Sequence, residues 1–255
     1  TPRTTRRRGP RTHADRRARH DDAAPGLPRD ERAVRLPAVM AQTPGSDGQK
    51  RDAAAAALEL VEDGMTLGLG TGSTAYWFVA GVAERLRSGA LQRVRGVPTS
   101  EATARQAREA GIELVDLPAA GVDLAVDGMD ELAPGLDAVK GLGGALLREK
   151  VVAASARAFV LIGDESKLVS RLGEKEPVPV EVVRFGLART VRLLGALGGE
   201  AVVRERDGAP VVTDNGNLVV DLRFAGRFDP EELAAELSAL PGVVEHGLFL
   251  GMADL

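Results

Sequence analysis

From Gln49 onward the apolar residues fall into short runs separated by stretches with helical spacing. Ala53–Val61 reads as an alanine-rich helix with Leu58 and Val61 on one face, and Met65–Leu69 as a short buried strand. Gly68–Thr74 is a turn leading into a helix through Tyr76–Arg87. A strand at Gly96-Val97, a helix at Glu101–Ala110 and a strand at Ile112–Leu117 follow. Val122–Val126 is a strand ending on Asp127, Leu146–Ser155 a helix, and Ala158–Ile162 a strand with Asp164 directly behind it. Strands alternating with helices in this way predict βαβ units and a mostly parallel sheet covered on both faces.

The texture changes after Gly173. Pro177–Val183 alternates around two prolines and suits an edge strand. Gly186–Leu197 is a helix, Ala201–Glu205 and Leu218–Leu222 are strands with Asp214-Asn215-Gly216 turning between them, Pro230–Leu240 is a capped helix, and Val243–Leu248 is a last strand. That order predicts a small split-βαβ unit inserted into the first. The expected organisation is a main α/β domain from 46–173 plus 247–255, with a smaller domain from 174–246.

Composition narrows the chemistry. Of 255 residues 44% are hydrophobic and 27% charged, ordinary values for a chain that buries a core. No apolar run nears the roughly 18 residues a membrane span needs, and no signal-peptide pattern is present, so the cytoplasm is the expected location. With no cysteine, disulfides, thiolate nucleophiles and thiolate zinc sites are excluded. The three histidines are His13, His20 and His246, so acid–base work in the body falls to carboxylates, lysine or hydroxyls. Residues 1–40 hold 11 arginines against five acids and show no apolar period. Residues 1–45 are therefore expected to be a disordered basic extension, with Met40 the expected true start.

Four strand-end segments carry candidate chemistry. Gly68–Thr74 offers backbone N–H groups and a helix N-terminus to an anion, with hydroxyls at Ser73 and Thr74. It lacks a Walker lysine, and its third glycine comes one residue early for the dinucleotide fingerprint, so a monophosphate is the expected guest. A tight strand–helix junction is the plain alternative. Asp127-Gly128-Met129-Asp130-Glu131 puts three carboxylates at a strand's C-terminal end, where open α/β sheets bind ligands. A magnesium site there is a competing reading. Lys140-Gly-Leu-Gly-Gly144 lets backbone approach a ligand beside a point charge, and Glu149 follows on the next helix. Asp164-Glu-Ser-Lys167 brings another lysine to the same sheet edge. Such an inventory suits proton transfer α to a carbonyl on an anionic sugar, with a glutamate as base and a lysine for the oxyanion.

At these residues the chain resembles the A-type ribose-5-phosphate isomerases. The stretches GLGTGST, VDGMDEL, KGLGGALLREKVVA, DESKLV, PVPVEVV, VVTDNGNLVVDL and LPGVVEHGLF occur in that family's order over roughly residues 48–252. The resemblance implies a Rossmann-like main domain, a ferredoxin-like small domain, no cofactor and no metal, and a homo-oligomer (dimer or tetramer) that binds neither nucleic acid nor membrane. It implies that Thr71, Gly72, Ser73 and Thr74 bind the substrate phosphate. Asp127, Gly128, Met129 and Asp130 would contact the sugar, with Asp127 assisting ring opening. Lys140, Gly141, Leu142 and Gly143 would form the lysine–glycine loop, Glu149 the general base, and Lys167 a further substrate contact, with Lys50 a weaker one. Leu142 stands where the family usually has glycine. Family members also continue past the position of Leu255 through another strand, so the expectation is either a sheet edge left unpaired or an incomplete sequence. Rival readings are a deaminase–isomerase on the same fold, which usually recruits histidine, and a non-catalytic sugar-phosphate sensor.

Overall fold

The computed structural model describes residues 46–255. The expected N-terminal extension, with Met40, His13 and His20, lies outside them. The chain runs α1 (Ser46–Leu58), β1 (Thr66–Leu69), α2 (Ser73–Arg87), β2 (Arg95–Pro98), α3 (Glu101–Glu109), β3 (Glu113–Leu114) and β4 (Leu124–Gly128). It continues through β5 (Glu131–Leu132), β6 (Ala138–Val139), α4 (Leu146–Ser155), β7 (Phe159–Ile162) and a 3₁₀ turn at Glu165–Lys167.

These strands form a five-stranded parallel sheet in the order β3-β2-β1-β4-β7. The order reverses between β1 and β4, and a crevice opens at their C-terminal ends, where parallel sheets bind ligands. Alternate residues serve the two faces. Leu67, Leu69, Leu124 and Val126 pack with Phe78 and Val79 of α2. Ala125 and Phe159 pack with Val152 and Ala153 of α4. A Cβ at Gly68 would lie 2.5 Å from Val152 Cγ1, so glycine there lets α4 settle low on the sheet.

The second unit comprises β8 (Val178–Val182), α5 (Leu187–Gly195), β9 (Glu200–Val203), β10 (Glu205–Arg206), β11 (Ala209–Pro210), β12 (Leu218–Arg223), α6 (Pro230–Ala239) and β13 (Val243–His246). Its antiparallel sheet has the order β13-β8-β12-β9, the split-βαβ arrangement. Val178, Val180, Val182, Val220 and Leu222 form one core with Leu194 of α5 and with Leu233 and Leu237 of α6. A final strand, β14 (Leu248–Phe249), joins β6 and β5 in a three-stranded sheet.

Several expectations need correction. β8 is not an edge strand but lies between β13 and β12. Pro179 is tolerated because it faces the point where β13 ends, and its carbonyl accepts from Gly247 N at 2.7 Å. The expected strand through Glu205 breaks into β9 and the β10–β11 hairpin. Asp207 and Gly208, both at positive φ, make that turn, as an Asp-Gly pair favours. Ile112–Leu117 shrinks to a two-residue strand. The expected unpaired sheet edge is covered: beyond β7, Asp254 N donates to Phe159 O and Leu161 N donates to Leu255 O, both at 2.8 Å.

Candidate active site

Where β1 gives way to α2, Gly72 takes φ +110° at the helix N-cap with no side chain capping the first turn. The helix begins at Ser73, three residues before the sequence pattern indicates, so Ser73 and Thr74 present first-turn N–H groups to the crevice. Thr71 fixes this loop from below. Its hydroxyl lies 2.8 Å from Thr99 Oγ1 and from Ser100 Oγ, and 3.1 Å from Thr103 Oγ1, while its N–H donates to Asp127 Oδ1 at 3.0 Å. A Cβ at Gly70 would collide with the Asp127 carboxylate, so only glycine lets loop and acid approach this closely.

Asp127 occupies β4 itself rather than the turn after it. It is 3% exposed, and Oδ1 accepts a second N–H from Gly128 at 2.7 Å. Across from it Lys140, 2% exposed, sets Nζ 3.2 Å from Asp127 Oδ2 and 3.5 Å from Glu149 Oε2, and donates to Gly128 O. Lys140 is held from behind by Gly247, whose carbonyl accepts its N–H at 2.9 Å. Glu149 lies in the first turn of α4 and is 5% exposed; its Oε2 has no hydrogen-bond partner.

One cation and two carboxylates thus share a buried cluster. Burial raises the pKa of both acids, Lys140 opposing it in each case. Asp127 also accepts the Thr71 and Gly128 N–H groups, which favour its ionised form. Glu149 has Asp127 and Asp130 as like-charged neighbours and is pushed up to about 8. Burial thus favours retention of a proton within the Asp127–Glu149 pair. Burial disfavours the Lys140 ammonium, but Asp127, Glu149 and Asp130 outweigh it and hold the pKa above its ordinary value.

Around the cluster opens a cleft of about 110 Å³ lined by Thr71, Gly72, Ser73, Thr74, Gly128, Met129, Asp130, Lys140, Gly141, Gly143, Glu149 and Lys167. Of the residues to which the family resemblance gives a role, all but Asp127, Leu142 and Lys50 line it. Asp127 lies beneath, bonded to Lys140. Leu142 turns away: its N–H donates to Asp130 Oδ2 at 2.9 Å and its carbonyl accepts from Arg204 at 2.8 Å. Lys50 lies 3.8 Å from Asp47 and outside the lining. Glu131, the third acid of its motif, points elsewhere and accepts the N–H groups of Gly173, Lys175 and Glu176. That separates it from Asp127 and Asp130, and no group of three or more metal-ligating side chains exists among the described residues. His246 also stands apart. It lies beside Lys150 Nζ at 3.2 Å, and burial and that lysine hold its pKa down to about 4.

Sequence reasoning missed the hydroxyl cluster of Thr99, Ser100 and Thr103, although Thr99-Ser100 follows a parallel strand at the same edge. It also missed Arg148, which reaches Glu101 Oε1 at 2.9 Å and Asn215 Oδ1 at 3.0 Å, tying α4 to the loop before β12.

The fold and cleft define a parallel α/β protein with an uncapped helix N-terminus, two cleft lysines and a buried acid–lysine–acid cluster at its topological switch point. The family model for ribose 5-phosphate isomerase A (phosphoriboisomerase A) matches residues 95–255. The ribose-5-phosphate isomerase A of Roseiflexus castenholzii is 59% identical over 208 residues, covering 81% of this chain and 89% of that protein. That of Gloeobacter violaceus is 52% identical over 207 residues, covering 80% and 89%. A solved D-ribose-5-phosphate isomerase in complex with phospho-erythronic acid superposes with a TM-score of 0.80 at 38% identity, covering 82% of this chain and 93% of its own. The ribose 5-phosphate isomerase A structure from Methanocaldococcus jannaschii gives 0.76 at 44% identity, covering 80% and 91%. This chain belongs to the ribose 5-phosphate isomerase A family.

Proposed function

We propose that this protein interconverts D-ribose 5-phosphate and D-ribulose 5-phosphate through an enediolate. The observation that carries the reading is Glu149: a buried carboxyl with an unoccupied oxygen, 3.5 Å from a buried ammonium, on the floor of the cleft. The phosphate sits on the first-turn N–H groups of α2 with the Ser73 and Thr74 hydroxyls, and Lys167 adds charge there. Asp127 assists opening of the furanose ring. In the open aldehyde, ionised Glu149 takes the C2 proton, the C–H pair becomes the C1=C2 bond, and the carbonyl pair moves onto O1. Lys140 stabilises that oxyanion. Glu149 then returns the proton to C1 while the O2 hydroxyl proton passes to O1, leaving the C2 ketone. The reverse sequence runs from ribulose 5-phosphate.

A pKa near the working pH suits a residue that must both accept and return one proton. The same proposal assigns residues 46–173 with 247–255 to the catalytic unit and 174–246 to a smaller one. It places the enzyme in the cytoplasm as a homo-oligomer; among the described residues no helix is long and apolar enough to cross a membrane. The test is ribulose 5-phosphate formation by the full chain with EDTA present. Glu149→Gln should lower kcat by roughly 10² to 10⁴ while sugar-phosphate binding persists. Turnover equal to the unsubstituted protein would reject Glu149 as the base, and activity that EDTA removes and Mg²⁺ restores would reject the metal-free scheme.

A further inference from the structure

Arg204 lies between β9 and β10, outside the cleft, yet it grips the loop that follows the catalytic lysine. Its guanidinium forks onto Asp221 of β12, with Nε 2.8 Å from Oδ2 and Nη2 on Oδ1. The remaining arm, Nη1, donates to Gly141 O at 2.9 Å and to Leu142 O at 2.8 Å. The side chain is 11% exposed. Burying an ion pair is a poor source of stability, because desolvation offsets the attraction, but a planar fork fixes direction well.

The direction has a consequence for the loop. Its peptides are trans, so each N–H points opposite to the carbonyl of the same plane. The 141–142 peptide is held on both sides, its oxygen by Arg204 and by Gly144 N at 3.0 Å, its N–H by Asp130 Oδ2 at 2.9 Å. The 142–143 peptide is held by its oxygen, on Arg204. With Leu142 O turned outward to the guanidinium, the Gly143 N–H turns the opposite way, and Gly143 lines the cleft.

We propose that Arg204 is a positioning residue that aims the Gly143 N–H at the oxygen on which enediolate charge develops, beside the Lys140 ammonium. The proposal rests on the isomerase reading above and deepens it. Leu142 fits it too: its N–H is tied to Asp130 and its carbonyl to Arg204, so its place in the loop is fixed by backbone groups that a side chain does not disturb.

The test uses the full chain with Arg204→Lys, which keeps the charge and loses the fork. Four quantities are compared with the unsubstituted protein: kcat, KM, inhibition by phospho-erythronic acid, and inhibition by inorganic phosphate. A misaimed donor should lower kcat by about 10- to 100-fold. It should weaken phospho-erythronic acid, whose carboxylate presents charge where the enediolate does, by a similar factor. KM and inhibition by inorganic phosphate should stay within about twofold, because the phosphate end is held by α2. Unchanged kcat and unchanged phospho-erythronic acid inhibition, whatever happens to the melting temperature, would overturn the proposal. So would a parallel loss of inorganic phosphate inhibition, which marks general damage to the cleft. If Arg204→Lys does not fold, Asp221→Asn leaves the arginine present but loosens its fork, and must show the same split in smaller degree. Failure of the unsubstituted protein to isomerise would refute the isomerase reading itself. Calorimetric binding of phospho-erythronic acid and of inorganic phosphate, which needs no turnover, would still decide for or against Arg204.

Discussion

Replacing Glu149 with glutamine should make the protein more stable, by an amount that grows as pH rises from about 4.5 to about 8. The folded protein keeps the Glu149 proton up to about pH 8, whereas the unfolded chain releases it near 4.5. A carboxyl whose pKa is raised by folding contributes stability that is fully present below 4.5 and lost as pH rises through about 8. At ~1.4 kcal/mol per pH unit this span corresponds to a ceiling of about 5 kcal/mol. Movement of Lys140 toward the carboxylate and entry of water reduce it to a working figure of about 2 kcal/mol. Glutamine has the shape of the protonated acid and never ionises, so it escapes the loss. Thermal unfolding of both proteins between pH 5 and 9 checks this, and taking their difference cancels every other titrating group. The melting temperatures should coincide near pH 5. The variant should lie about 4–8 °C higher at pH 9, using roughly 2–4 °C per kcal/mol for a chain of this size. A difference that is flat with pH, or that falls, would refute the claim that burial holds a proton on Glu149.

The same proton shapes activity: kcat/KM should rise about tenfold per pH unit below roughly pH 8 and level above it, and a profile already level at pH 6 would remove Glu149 as the titrating base. Lys140→Met, which keeps the stem and removes the charge, should lower kcat by about 10² to 10³, and a change under threefold would assign the oxyanion to another group. Glu131→Ala should cost about 2–4 kcal/mol in urea unfolding by releasing the 173–176 loop. Its kcat should stay within about twofold. A collapse of turnover without loss of stability would restore Glu131 to the site.

Much of the cleft was legible because its parts are local. Each loop follows a buried strand directly, and its glycines, hydroxyls and charges are contiguous in sequence, so Gly72, Asp130, Lys140 and Glu149 announce themselves by type and place. What convergence does to them was not legible. Asp127, Asp130 and Glu131 look alike along the chain. Only tertiary structure sends Glu131 to three backbone N–H groups and leaves Asp127 under Lys140. The proline pair marked β8 as an edge strand because sequence reports the missing donors but not that β13 stops opposite Pro179. The two-residue strands β5, β6 and β14 are too short for any period to register. Arg204 is silent for a different reason: it acts on backbone carbonyls, and those groups carry no residue identity.

The hydrogen bond from Lys140 N–H to Gly247 O crosses the whole of the second sheet in sequence. A chain that has formed the five-stranded sheet alone still has its lysine loop unanchored, and the three-stranded sheet of β5, β6 and β14 cannot close. Such long-range closure slows folding and raises its cooperativity. Partly folded forms, including those on the ribosome before Gly247 emerges, would therefore hold sheet structure without a working proton shuttle. The phosphate site at the start of α2 belongs to the sheet that needs no Gly247, so competence to bind an anion would precede competence to move a proton.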